Sequence, residues 1–99
     1  MYIESKYITV KEGYAEELAS RFDQPLPIED MPGFQGLSIA VEKARKGEQM
    51  VIITTKFLSK DDYKAWKKSD AHVQGHKSKQ KPDFVLNTSL GLYEEILSR

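Results

Sequence analysis

His72 and His76 are the only two histidines of this 99-residue chain, and they stand four residues apart. In a helix that spacing puts both imidazoles on one face, as in helices that bind zinc. A two-histidine metal site needs one or two further ligands, and the chain has neither a cysteine nor an HExxH glutamate to supply them. The pair can also be read as two partly exposed histidines, or as one histidine acting as the axial ligand of a heme iron. Trp66, the only tryptophan, comes shortly before them on a lysine-rich segment, with Tyr63 three residues earlier. Aromatics at that spacing ordinarily face a core, and an indole buries a large area there. A third feature is the run Met31-Pro32-Gly33-Phe34-Gln35-Gly36-Leu37. Two glycines around an aromatic just before a strand suit a β-bulge or a tight entry to a sheet. There is no GxGxxG, P-loop, GxSxG or cysteine nucleophile. Asp61-Asp62 and Glu94-Glu95 are neighbours along the chain, so neither pair faces one site; solvated faces explain both.

The elements that must position these residues follow from periodicity. Residues 2–10 are β-branched and aromatic and read as a strand. Tyr14, Leu18 and Phe22 recur at helical spacing and predict a helix over 14–23, stopped by Pro25 and Pro27. Leu37, Ile39 and Val41 alternate with Ser38, Ala40 and Glu42, then a polar turn at 45–48 leads into a second strand over 49–58, which makes a hairpin. Ser59 with Asp62 is a capping-box-like start for a helix over 59–68, and a second helical stretch covers 70–78. A loop over 79–82 ends at Pro82, and a long strand over 84–97 closes the chain. The order is βαββαβ. It predicts an α+β, ferredoxin-like domain: a four-stranded antiparallel sheet with Tyr14, Leu18, Phe22, Tyr63 and Trp66 pointing to its helix-covered face.

Ninety-nine residues make one domain with a thin core, and no disulfide can reinforce it. Oligomerisation is the usual remedy, so a homodimer is expected, with Leu90, Leu92 and Ile96 buried by the second copy. Fifteen basic and fifteen acidic residues cancel, which argues against a nucleic-acid partner. The longest wholly apolar run, Met50 to Ile53, is far too short to span a bilayer, so no membrane association is expected. The charged, alternating start and the lack of cysteine predict a cytoplasmic protein.

Taken in order, Met31–Leu37, the segment Trp66-Lys-Lys-Ser-Asp-Ala-His-Val-Gln-Gly-His76 and Lys81-Pro82-Asp83-Phe84 have a likeness among known proteins. Together they resemble the bacterial heme-degrading monooxygenases of the antibiotic-biosynthesis-monooxygenase superfamily, over nearly the whole chain. The resemblance implies a single domain over 1–99 that pairs into a dimeric α/β barrel. It implies heme as both substrate and prosthetic group, with dioxygen as co-substrate, and the release of iron and a ring-opened tetrapyrrole. An external reductase or small-molecule reductant would supply electrons, since no flavin or nicotinamide motif is present. On this resemblance His76 is the axial ligand of the heme iron, and Trp66 presses on the porphyrin and ruffles it. Lys77, Lys79 and Lys81 are candidates to meet the propionates. The family's third site residue is an asparagine in strand one, about seven residues before the glycine that follows the strand. Counting back from Gly13 reaches Lys6, and the only asparagine here is Asn87, so Lys6 occupies that place. A charged lysine donates hydrogen bonds but cannot accept them as an amide does. Two other readings stay open. One is a cofactor-independent monooxygenase acting on a small aromatic or quinol, with no ligand role for His76; the other is a non-enzymatic dimeric sensing module.

Overall fold

The protein is described by a computed structural model that covers residues 1–78 and 81–99, with side chains for all of these except 76–78. The chain runs β1 (Tyr2–Lys11), α1 (Ala15–Ser20), a 3-10 turn (Pro27–Asp30), β2 (Phe34–Val41), β3 (Glu48–Phe57), α2 (Lys60–Lys68), α3 (Asp70–Ser78) and β4 (Val85–Glu94). The strands form one sheet in the order β2-β3-β1-β4, with every neighbouring pair antiparallel. The ferredoxin-like α+β architecture expected from the sequence is what the chain adopts.

Strand parity decides what faces the helices. Ile8 and Val10 of β1 and Val51 and Ile53 of β3 bury against Ala15 and Leu18 of α1. Further along the same side, Tyr2 and Phe57 bury against Tyr63 of α2 and Ile28. Both helices therefore cover one face of the sheet. Phe57 and Val10 are fully buried, and truncating such a phenylalanine to alanine typically costs about 3–5 kcal/mol.

Most boundaries fall within a residue of those expected, but the first helix and the last strand are shorter. The first helix spans only Ala15–Ser20, not 14–23, because Tyr14 offers no side-chain cap and the chain must turn before Pro25. Tyr14 does not point into the core; it is 41% exposed and stacks on Phe84, ring centroids 4.9 Å apart. β4 stops at Glu94 rather than at 97. It pairs with β1, whose first residue Tyr2 lies opposite Glu94, and Glu95 N–H makes a last bond to the Met1 carbonyl. The loop expected over 79–82 falls partly outside the described residues.

Candidate active site

The hinge between α2 and α3 brings Trp66 and His72 together. Ser69, between the two helices, donates its hydroxyl to the Trp66 carbonyl at 2.6 Å and accepts the His72 backbone N–H at 3.2 Å. One side chain thus closes the first helix and caps the second, as a serine at an N-cap does. The turn sets the His72 ring edge-on to the Trp66 indole, with centroids 5.1 Å apart and planes 64° from parallel. That is the tilted geometry aromatic quadrupoles favour. Trp66 itself is half-buried at the rim of the cluster around Tyr2, Phe57 and Tyr63. It is therefore partly a core anchor and partly a surface. His76 lies one turn further along the α3 backbone, and its side chain falls outside those described. Among the described residues no group of three or more His, Cys, Asp or Glu could hold a metal ion.

Glu4 joins β1 to α2. Its Oε2 accepts the Tyr63 hydroxyl at 2.5 Å and lies 3.5 Å from the Lys67 ammonium. Burial, with the Glu4 carboxylate close by, pushes the Tyr63 hydroxyl well above its ordinary pKa, since ionising it would set a second anion beside the first. Lys6, two residues on, shares the parity of Glu4 and so the helix-side face; it is half-buried.

That parity also places β4. Leu92 lies opposite Glu4 and Leu90 opposite Lys6, so both leucines are on the helix side. They are nevertheless 45% and 49% exposed, because the helices lie towards β3 and leave this edge open. An apolar strip thus runs beside Lys6. Two hollows lie elsewhere: about 100 Å³ between α1 and the β2–β3 hairpin, and about 330 Å³ around Met1, Leu58 and Ile96. Neither is lined by Lys6, Trp66 or His72.

The glycine run before β2 proves to be structural. Gly33 has φ +82°, and a Cβ there would run into the Asp62 side chain. Asp62 in turn accepts the Ser59 hydroxyl at 3.0 Å, while Ser59 accepts the Asp62 N–H at 3.1 Å. Gly33 also offers its carbonyl to Leu58 N–H at 2.8 Å, so it seats the first turn of α2. The β2–β3 register slips between Phe34 and Gly36, which is the bulge the glycines suggested. Asp62 is therefore no mere solvated carboxylate, and Glu95 pairs with Lys56 at 3.7 Å. Glu4 and Ser69 had no marker in the sequence beyond a charge in an apolar strand and a serine between two helical runs.

Residues 1–78 match the family described as antibiotic biosynthesis monooxygenase, a span from β1 to the end of α3. The chain belongs to that family. Among curated relatives of this antibiotic biosynthesis monooxygenase, the heme-degrading monooxygenase HmoA of Bacillus subtilis is 34% identical over 94% of this chain and 89% of its own length. The staphylobilin-producing heme oxygenase of Staphylococcus saprophyticus is 36% identical over 82% of this chain and 78% of its own. A Bacillus cereus protein described as an antibiotic biosynthesis monooxygenase superposes with a TM-score of 0.88, at 33% identity, over 99% of this chain and 95% of that one. The heme-degrader MhuD of Mycobacterium tuberculosis, solved with two hemes in its active site, superposes at 0.77 with 25% identity over 100% and 99%. The family-matched span carries Lys6, Trp66, His72 and His76.

Proposed function

We propose that this antibiotic biosynthesis monooxygenase degrades heme: it binds the macrocycle against α2, α3 and the open edge of β4, opens the porphyrin and releases iron. The observation that carries the reading is the juxtaposition of a half-buried indole, a helix bearing two histidines and an exposed leucine strip on one face of the sheet. The donor set fits. An apolar surface suits the ring, and an imidazole is a fitting axial ligand for its iron. The names of the two relatives, both heme-degrading enzymes, support the same substrate.

When bound, heme supplies the iron that engages dioxygen and is also the molecule oxidised. The chain's own residues bind, orient and shield it. His76 would hold the iron from α3, and Trp66 would bear on the ring from α2. The leucines of β4 keep water from one face of the macrocycle. Lys6 presents three N–H donors and no acceptor at the position where the family has an amide. Lys81 is exposed and is the described lysine available to a propionate, while the side chains of Lys77 and Lys79 lie outside those described. Electrons come from an external reductase or a small-molecule reductant. A second copy covers the sheet face turned away from the helices, completing a dimeric barrel, and the protein works in the cytoplasm. Among the described residues no helix is long and apolar enough to cross a membrane.

Hemin titration is the test. Wild-type protein should give a Soret shift that saturates near one hemin per chain, followed by bleaching when a reductant is added in air. His76→Ala should abolish the shift and His72→Ala should leave most of it, since His72 lies a turn nearer Trp66 than the family's ligand does. Wild-type protein with no Soret change would overturn the reading and leave the quinol oxygenase or the sensing module in its place.

A further inference from the structure

The carboxylate of Glu4 sits where neither heme chemistry nor core packing requires a charge. It is on the central part of the sheet, with β3 on one side of its strand and β4 on the other, and its side chain is only 12% exposed. One oxygen, Oε2, takes both the Tyr63 hydroxyl and the Lys67 ammonium. Those two donors are four residues apart on α2, and Trp66 lies between them. The Lys67 ammonium also sits 5.7 Å from the centre of the Tyr63 ring, so the two anchors support each other.

We propose that Glu4 is a positioning residue for Trp66: held by Tyr63 and Lys67, it fixes the rotation of α2 about its own axis and thereby the angle of the indole. The proposal rests on the heme reading only for what the indole acts upon.

Three observations separate this from a plain stability feature. First, the packing of Tyr63 against Tyr2 at 5.2 Å and Phe57 at 5.9 Å already sets the depth of α2, but apolar contact is non-directional and leaves the helix free to roll. Second, two donors from consecutive turns meeting on one atom resist roll in both senses. Third, a carboxylate largely withdrawn from water and paired with a partly exposed ammonium is a poor way to gain stability, because apolar residues of similar volume commonly do as well or better. Charge-assisted bonds to a rigid strand do supply direction. The lever is also favourable. An indole about 6 Å from the helix axis moves by about 1 Å for a 10° roll. A misplacement of about 1 Å can lower a rate by about 100-fold.

The experiment uses the full chain and begins without heme. Trp66 is the only tryptophan, so its fluorescence anisotropy decay reports its own motion. Tyr63→Phe and Glu4→Gln should add a fast component absent from wild type; Lys64→Met, an exposed lysine of the same helix, should not. Lys67→Met, at the more exposed end of the clamp, should show a smaller version of the effect and serves as the readout if either core variant fails to fold. With hemin, Tyr63→Phe and Glu4→Gln should bind within about twofold of wild type, turn over at least about tenfold more slowly, and give a broader mixture of ring-opened isomers. Wild-type-like Trp66 anisotropy in the folded variants would overturn the proposal, even where melting temperature falls. Hemin binding by wild type combined with a wild-type isomer ratio in the variants would do the same. Absence of hemin binding in wild type would sink the heme reading alone, because the anisotropy arm does not use heme.

Discussion

Lys6 is the residue whose chemistry departs most from what its position implies. It sits on the helix side of β1, between Glu4 and Ile8 in the same parity, opposite Ile53 and Leu90. A lysine there brings a positive charge and three donors, where an amide would bring a donor and an acceptor with no charge. Lys6→Asn should therefore raise the rate of heme bleaching under a fixed reductant while changing hemin affinity by less than about threefold. A variant with unchanged turnover would mean that the amide's acceptor is dispensable here. Trp66 and His72 illustrate a different lesson at this scale. Their edge-on contact is produced by Ser69 bonding to both helices, so neither aromatic alone explains the geometry.

Among the elements, α2 carries most of the site, and its placement depends on both ends. Its N-terminus is seated by Gly33 and the Ser59–Asp62 pair. Gly33→Ala should cost roughly 2 kcal/mol, since it forces an L-residue into φ +82° and also displaces the Asp62 side chain. For a domain of this size that corresponds to a melting temperature lower by about 10 °C. Gly13→Ala is the control. It has φ +94° but open space around it, so only the backbone penalty applies and the fall should be about half as large. The middle of α2 is fixed by Tyr63, and here pH becomes informative. Folding holds this hydroxyl above its ordinary value of 10.0, so its contribution is fully present below about pH 10 and is lost as pH rises beyond it. In that range the unfolded chain releases a proton that the folded one keeps. Urea unfolding should show stability that is level through neutrality and falls above pH 10 by at most about 1.4 kcal/mol per unit from this group. Tyr63→Phe should reduce that slope.

For the molecule as a whole, the sheet has one covered face and one bare one. The bare face carries Ile3, Ser5 and Tyr7 of β1 and Tyr93 of β4, with the Tyr7 and Tyr93 hydroxyls 3.1 Å apart. After β4 come Ile96, 96% exposed, and Leu97, 69% exposed. A second copy laid on this face would bury Ile3, Tyr7 and Tyr93, the remedy a small core commonly uses. Sedimentation at micromolar concentration should show a species of about twice 11.3 kDa, and Tyr93→Asp should weaken it. A single 11.3 kDa species throughout would argue for a monomer. The expectation that Leu90 and Leu92 join this interface sits poorly with their parity, which places them on the helix side beside Lys6 and Glu4.

Local rules read this chain well wherever the interaction is local. Alternation at 37–41 gave the hairpin strand, Ser59 and Asp62 gave the start of α2, and the two glycines of 33–36 gave a bulge, because each depends on residues within a few positions. The order of elements then left little choice of fold, while Trp66 and His76 were singled out by a family resemblance and not by spacing. Tertiary structure decided the rest. Tyr14 turned outward to stack on Phe84, a residue 70 positions away, which no helical periodicity registers. β4 ends with its ladder to β1, at the Tyr2–Glu94 pair, an end its own composition does not mark. Glu4 is, along the chain, only a charge in an apolar strand, and it is α2 that closes over it with Tyr63 and Lys67. Propensity and capping act along the chain, whereas a buried carboxylate gains its meaning only from partners brought to it through space.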